Sequence, residues 1–199
     1  MTIWTDTPTL SGRHVTLRPL DRADRDALVE ASSDGRLWEL FYSLAPGPQT
    51  IDPWMDFSVR EVEQGRAMLF AVLDDAGKLV GSTRYLRINP AHRRVEIGGT
   101  FYARRVQRTG LNTEAKLLLL RHAFETLGCV CVQIRTDWLN KASQRAIERL
   151  GAKQDGVLRG QRIMPDGRVR DTVVYSILDH EWRGVRQNLE TMLARGDLG

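Results

Sequence analysis

The sequence predicts one α/β domain on a mixed, mostly antiparallel sheet of seven strands flanked by helices. Two observations carry this. Neighbouring runs of alternating apolar residues are joined by hairpin turns, as in 67–74 with 78–88 and in the final pair across Pro165-Asp166-Gly167. Between other strands lie capped helical segments, with no linker, repeat or low-complexity stretch to divide the 199 residues. That length is enough to bury a sizeable core.

The elements follow in order. Residues 13–20, RHVTLRPL, alternate as a strand, and Asp21 is placed to cap a helix over 21–33. An aromatic loop, LWELFYSLAPGP, is broken by Pro46, Gly47 and Pro48. A helix over 53–65 tolerates Pro53 in its first turn. Strands at 67–74 and 78–88 are joined across DAG, and a fourth strand covers 93–103. A helix follows to about Leu127, then a fifth strand at 130–137. Asn140 and Gly151 bound a short helix, two strands close the sheet, and an amphipathic helix runs from about Asp179 to 195. Its stripe of Trp182, Val185, Leu189 and Met192 packs either on its own domain or across a homodimer.

Composition narrows the function. The chain has 29 basic and 25 acidic residues, a net charge of +4, and no block of like charge, so no nucleic-acid arm is expected. No apolar run is long enough to span a membrane, and the start lacks a signal-peptide pattern. A cytoplasmic protein with reduced thiols at Cys129 and Cys131 is the expectation. His14, His92, His122 and His180 show no ligand spacing, and no metal site is expected.

Three stretches could carry chemistry. In 107–113, Gln107-Arg108-Thr109-Gly110-Leu111-Asn112-Thr113, a glycine turn opens a leucine-rich helix. It is either an architectural turn or a phosphate seat, with free first-turn amides, Arg108 charge and donors on Thr109, Asn112 and Thr113. In the fourth strand, Gly98-Gly99 marks a sheet bend or a bulge that frees backbone groups for a ligand. Simple alternation there puts Glu96, Thr100 and Tyr102 on one face and Phe101 on the other. Glu96 reads either as a carboxylate pairing with an arginine or as a base. Asn140 and Ser143 share one side of their helix, as cap and third residue or as ligand contacts.

These residues resemble a known family. Gln107 to Asn112 is similar to the pyrophosphate loop Q/R-x-x-G-x-G/A of GCN5-related N-acetyltransferases (GNAT), with Asn112 in place of the last small residue. Asn140-x-x-Ser143-x-x-Ala146-Ile147-x-x-Leu150-Gly151 resembles the second-helix signature of their ribosomal-protein-acetyltransferase-like branch. The order of elements agrees over about 11–182, within one domain of 1–199. The resemblance implies the acyl-CoA N-acyltransferase fold, with acetyl-CoA between the fourth and fifth strands. It implies contacts from Thr100, Phe101, Tyr102, the 107–113 loop, Asn140 and Ser143. It also implies direct acetyl transfer to a primary amine of a protein N-terminus or small molecule, with Glu96 as base and Ser143 or Tyr175 as acid. A coenzyme A-binding protein without catalysis is the alternative. Trp38, Phe41, Tyr42 and Trp54 are either core or acceptor pocket.

Overall fold

The computed structural model describes residues 3–196. Its strands are β1 (Leu10–Ser11), β2 (Thr16–Pro19), β3 (Met68–Leu73), β4 (Leu79–Asn89), β5 (Arg94–Tyr102), β6 (Cys131–Asp137), β7 (Lys153–Ile163) and β8 (Val169–Leu178). The helices are α1 (Arg25–Ser33), α2 (Ile51–Glu63), α3 (Gly110–Arg121), α4 (Lys141–Arg149) and α5 (Trp182–Gly196). The sheet order is β1-β2-β3-β4-β5-β6-β8-β7, and every pair is antiparallel except β5 with β6.

The eighth strand is β1, two residues that the polar start conceals from any periodicity. It owes its place to Glu114 of α3, whose carboxylate accepts from the amides of Arg13, His14 and Val15 in the β1–β2 turn at 2.9, 2.6 and 3.1 Å. The first predicted helix divides: Asp21 caps a single 3-10 turn at Arg22–Asp24, and α1 starts at Arg25. α3 gives way at His122 to one π turn ending at Thr126. Cys129 falls in the connection before β6 and is buried there, so it does not share a strand with Cys131.

One continuous apolar core fills both sides of the sheet, from Val15 and Leu28 to Ile177 and Leu189. α1 and α2 cover β3, β4 and the end of β5 on one face, where Trp54 of α2 meets Phe101, while α3 and α5 pack together on the other. Trp182, Val185 and Leu189 are buried against their own domain, and the Trp182 ring stacks on Phe124 at 5.4 Å. The apolar stripe of the last helix is therefore consumed within the chain.

Candidate active site

The sheet opens where its one parallel pair ends. β5 pairs with β6 from Arg94↔Cys131 to Ile97↔Ile134 and no further; Arg135–Asp137 continue only against β8. Gly98–Tyr102 thus has no strand on its β6 side, and a V-shaped gap begins at Gly98. Gly99 causes this. At φ +56° it takes a left-handed conformation that a Cβ disfavours, and that Cβ would stand 2.7 Å from Arg84 Nε. Register jumps from Arg84↔Gly98 to Ser82↔Phe101, so Thr83 opposes two residues of β5, a β-bulge.

The bulge also corrects the expected alternation. Ile97 lies opposite Tyr85, whose hydroxyl donates to the Leu119 carbonyl of α3, so Glu96 faces away from α3. Past the extra residue the faces exchange. Thr100 Oγ1 lies 2.7 Å from Thr83 Oγ1 and 3.4 Å from Lys116 Nζ of α3, and the Lys116 amine lies over the Tyr102 ring at 6.0 Å. Thr100 and Tyr102 therefore do not share a face with Glu96, and Phe101 turns instead toward Trp54 of α2, 6.2 Å between ring centroids.

The N-terminus of α3 stands at the open end of the gap. Gln107 donates to the Tyr102 carbonyl at 2.8 Å, tying the turn to β5. Arg108 takes φ +63°, leaving its side chain exposed. Among the described residues the amides of Arg108 and Thr109 have no intrachain acceptor, while Thr109 Oγ1 caps Leu111 N at 3.3 Å. Gly110 opens the helix with a Cβ position 3.3 Å from the His14 ring, so its smallness has a packing cause as well. Leu111 is core. Asn112 is half-buried, and Thr113 Oγ1 accepts from Arg149 of α4 at 3.2 Å. These exposed donors at the positive end of a helix suit the pyrophosphate of a coenzyme A.

α4 starts three residues beyond β6. Asn140 Oδ1 accepts from Ser143 N at 3.0 Å, which realises the capping role; the Ser143 hydroxyl has no partner among the described residues. Tyr175 is wholly buried opposite Ile134 and donates to Glu148 at 2.9 Å; burial and that carboxylate push its phenol up to about 12.

The sequence singles out Glu96 but not its surroundings. The carboxylate is buried, with Arg87 Nε and Arg135 Nε at 3.0 and 3.1 Å from Oε2, ion pairs without well-aimed hydrogen bonds. Burial raises its pKa above the ordinary carboxylate range, outweighing the pull of Arg135 and Arg87. It lines a cavity of about 220 Å³ with Arg87, Arg94, Gln133 and Arg135. Alternation in QIRTD (133–137) was the available signal for Gln133, Arg135 and Asp137 on one face. Arg84, across from Gly98, is buried over the Trp54 ring at 4.7 Å and donates to Ser58 at 3.0 Å. Among the described residues its Nε and Nη2 have no hydrogen-bond partner, and burial lowers its pKa to about 10.

Trp38 sits half-buried beneath Gly47, while Phe41 is exposed against Tyr42 at 4.9 Å. No cluster of three or more metal-ligating side chains occurs among the described residues, and no helix there is long and apolar enough to cross a membrane.

A parallel strand pair splayed over a helix N-terminus, inside an otherwise antiparallel sheet, defines the acyl-CoA N-acyltransferase fold. Residues 14–153 match the family model described as the acetyltransferase (GNAT) domain. The chain is 28% identical over 176 residues to the protein named "Putative ribosomal N-acetyltransferase YdaF" of Bacillus subtilis, covering 86% of this chain and 94% of that one. A crystal structure of a GCN5-related N-acetyltransferase from Brucella melitensis superposes with a TM-score of 0.83 at 30% identity, over 94% of this chain and 86% of that one. The structure of Mycobacterium smegmatis RimJ in complex with CoA-disulfide shares the fold, with a TM-score of 0.78 at 21% identity over 96% of each chain. The chain belongs to the GNAT acetyltransferase family and is an N-acetyltransferase.

Proposed function

We propose that this enzyme moves the acetyl group of acetyl-CoA directly to a primary amine of a peptide or small molecule, both substrates being bound together. The observation that carries this reading is the gap that opens at Gly98 and Ile134, with free donors of the α3 turn at one end and a buried carboxylate beside its apex. Acetyl-CoA supplies an activated acyl thioester. Arg108, the amides of Arg108 and Thr109, and the α3 dipole hold its diphosphate. Backbone groups of Gly98–Tyr102, left without a β6 partner, align the chain of the coenzyme as a strand would.

An amine attacks only after losing its proton. Glu96 takes that proton, directly or through water, from the face away from α3. Its burial raises its affinity for protons, which favours the role, while Arg135 and Arg87 pull the other way and oppose that rise. The bulge supplies backbone donors, and Arg84 a fixed positive charge beside Gly98, where negative charge develops on the acyl oxygen. Ser143, with a free hydroxyl, is the better proton donor to the leaving thiolate; Tyr175 is already engaged by Glu148. A thiol of pKa about 8.5 leaves with little help, so Ser143→Ala costs less than loss of Glu96.

Thiol release from acetyl-CoA with an amine panel tests this. Glu96→Gln is expected to lower turnover by about 10²–10⁴-fold at neutral pH, with acetyl-CoA affinity unchanged. The deficit narrows at high pH, where the amine is already neutral. Wild-type turnover in the variant removes Glu96 from the mechanism. Absence of amine-dependent release from the wild type favours a protein that only binds coenzyme A.

A further inference from the structure

We infer that the acceptor amine is the N-terminus of an acidic peptide, received on a basic strip that crosses the sheet face away from α3. The inference rests on the acetyl-transfer reading above and names its acceptor class.

The strip begins at the cavity beside the gap. Arg87 on β4 and Arg135 on β6 pair with one carboxylate, Glu96, and Arg94 on β5 lines the same cavity. It continues along β6 and β8. Asp137 is 2% exposed and answers two more arginines, Arg168 at 2.7 Å and Arg170 at 3.7 Å. Arg162 of β7 lies directly opposite Arg170, and like charges so placed in a sheet repel unless something anionic lies over them. Six arginines thus meet three carboxylates on one face, Glu96, Asp137 and Asp155, the last held by Ser176 at 2.6 Å, and the surplus is positive. Among the described residues, Arg135, Arg168 and Arg170 each keep a buried Nε without a hydrogen-bond partner, those of Arg135 and Arg170 being ion-paired at 3.1 and 3.7 Å without a well-aimed bond.

The strip's position and length select the ligand. Arg135 follows Ile134, the last β6 residue paired with β5, so the basic face starts at the apex of the gap. A polyamine brings further positive charge to that point and is repelled. The strip crosses five adjacent strands, β4, β5, β6, β8 and β7, hence about 19 Å at a strand spacing of about 4.8 Å. An extended chain of about six residues spans that length, whereas a single amino acid does not. Apolar contacts suited to peptide side chains stand at its border: exposed Phe41 has the Arg168 guanidinium over its ring at 5.3 Å, and Trp138 is exposed beside it in sequence to Asp137. A nucleic acid would satisfy the charge but offers no aliphatic amine to acetylate.

The test is thiol release with hexapeptides of one N-terminal residue, followed by acidic, amide or lysine side chains. Free glutamate, spermidine and a single-stranded RNA oligonucleotide are added as further arms. The acidic peptide is expected to exceed its amide counterpart about tenfold in kcat/KM, the combined effect of several modest ion pairs, and to lose that lead in high salt. Arg162→Gln with Arg168→Gln is expected to raise KM for the acidic peptide about tenfold and leave kcat within about twofold, an effect on binding alone. Binding of a fluorescent, N-terminally blocked acidic peptide reads the strip without turnover. Equal rates across the peptides, or preference for lysine peptides or spermidine, overturns the inference while leaving acetyl transfer intact. Glutamate matching the acidic hexapeptide overturns the peptide assignment. RNA binding more tightly than the blocked peptide replaces it with nucleic-acid binding. If no amine supports release yet the blocked peptide binds, the transfer reading fails and the strip survives.

Discussion

Lys116 is a charged residue that the fold places in the core. It is buried on α3 with one long contact to Thr100 at 3.4 Å, and burial lowers its pKa to about 8. Between about 8 and the ordinary 10.5 the folded chain holds fewer protons here than the unfolded chain. Stability therefore rises with pH across that window, by roughly 3 kcal/mol at most. Lys116→Met should be the more stable protein at pH 7, and chemical denaturation at pH 7 and pH 10 should show that advantage fading as wild type sheds the proton. An advantage of equal size at both pH values would mean that packing, not charge, sets it. None of this was legible beforehand, because the leucines 117–120 mark the helix as core without revealing that its Lys is buried too. Glu96 was legible as a carboxylate two residues before a glycine pair, but its ion-pairing arginines come from β4 and β6, and a strand shows its own alternation rather than its neighbours.

At the scale of elements, the bulge in β5 does most to shape the site. The glycine pair announced it, yet strict alternation carried past the pair put Thr100 and Tyr102 on the wrong face, since one extra residue reverses everything beyond it. Gly99→Val should restore a pleat the sheet cannot close, through a left-handed φ and a clash with Arg84. A loss of about 1–3 kcal/mol is expected in urea unfolding, with weaker acetyl-CoA binding by calorimetry. Full stability and affinity would show that the bulge is incidental. Caps and hairpin turns were read well because they depend on local chemistry: Asn140 accepts from Ser143 N, and β7 and β8 flank Pro165–Gly167. β1 was not, because it exists through Glu114, a hundred residues away.

The whole molecule divides its labour between the two faces of one sheet. The α3 side holds the helix N-terminus and polar groups of Lys116, Thr100 and Tyr102; the opposite side carries Glu96 and the basic strip, with the gap joining them. On the proposed function, coenzyme and acceptor approach the apex from opposite sides. Charge totals could not show this, because +4 spread along a chain becomes a strip only when β4 through β8 align. Backbone hydrogen exchange with and without acetyl-CoA tests that geometry most directly. Slowed exchange is expected in Gly98–Tyr102 and in Arg108–Asn112, two segments brought together by the fold, with β7 unchanged. Protection confined to the cavity of Arg87, Arg94 and Arg135, or absent from both segments while acetyl-CoA binds, would contradict it.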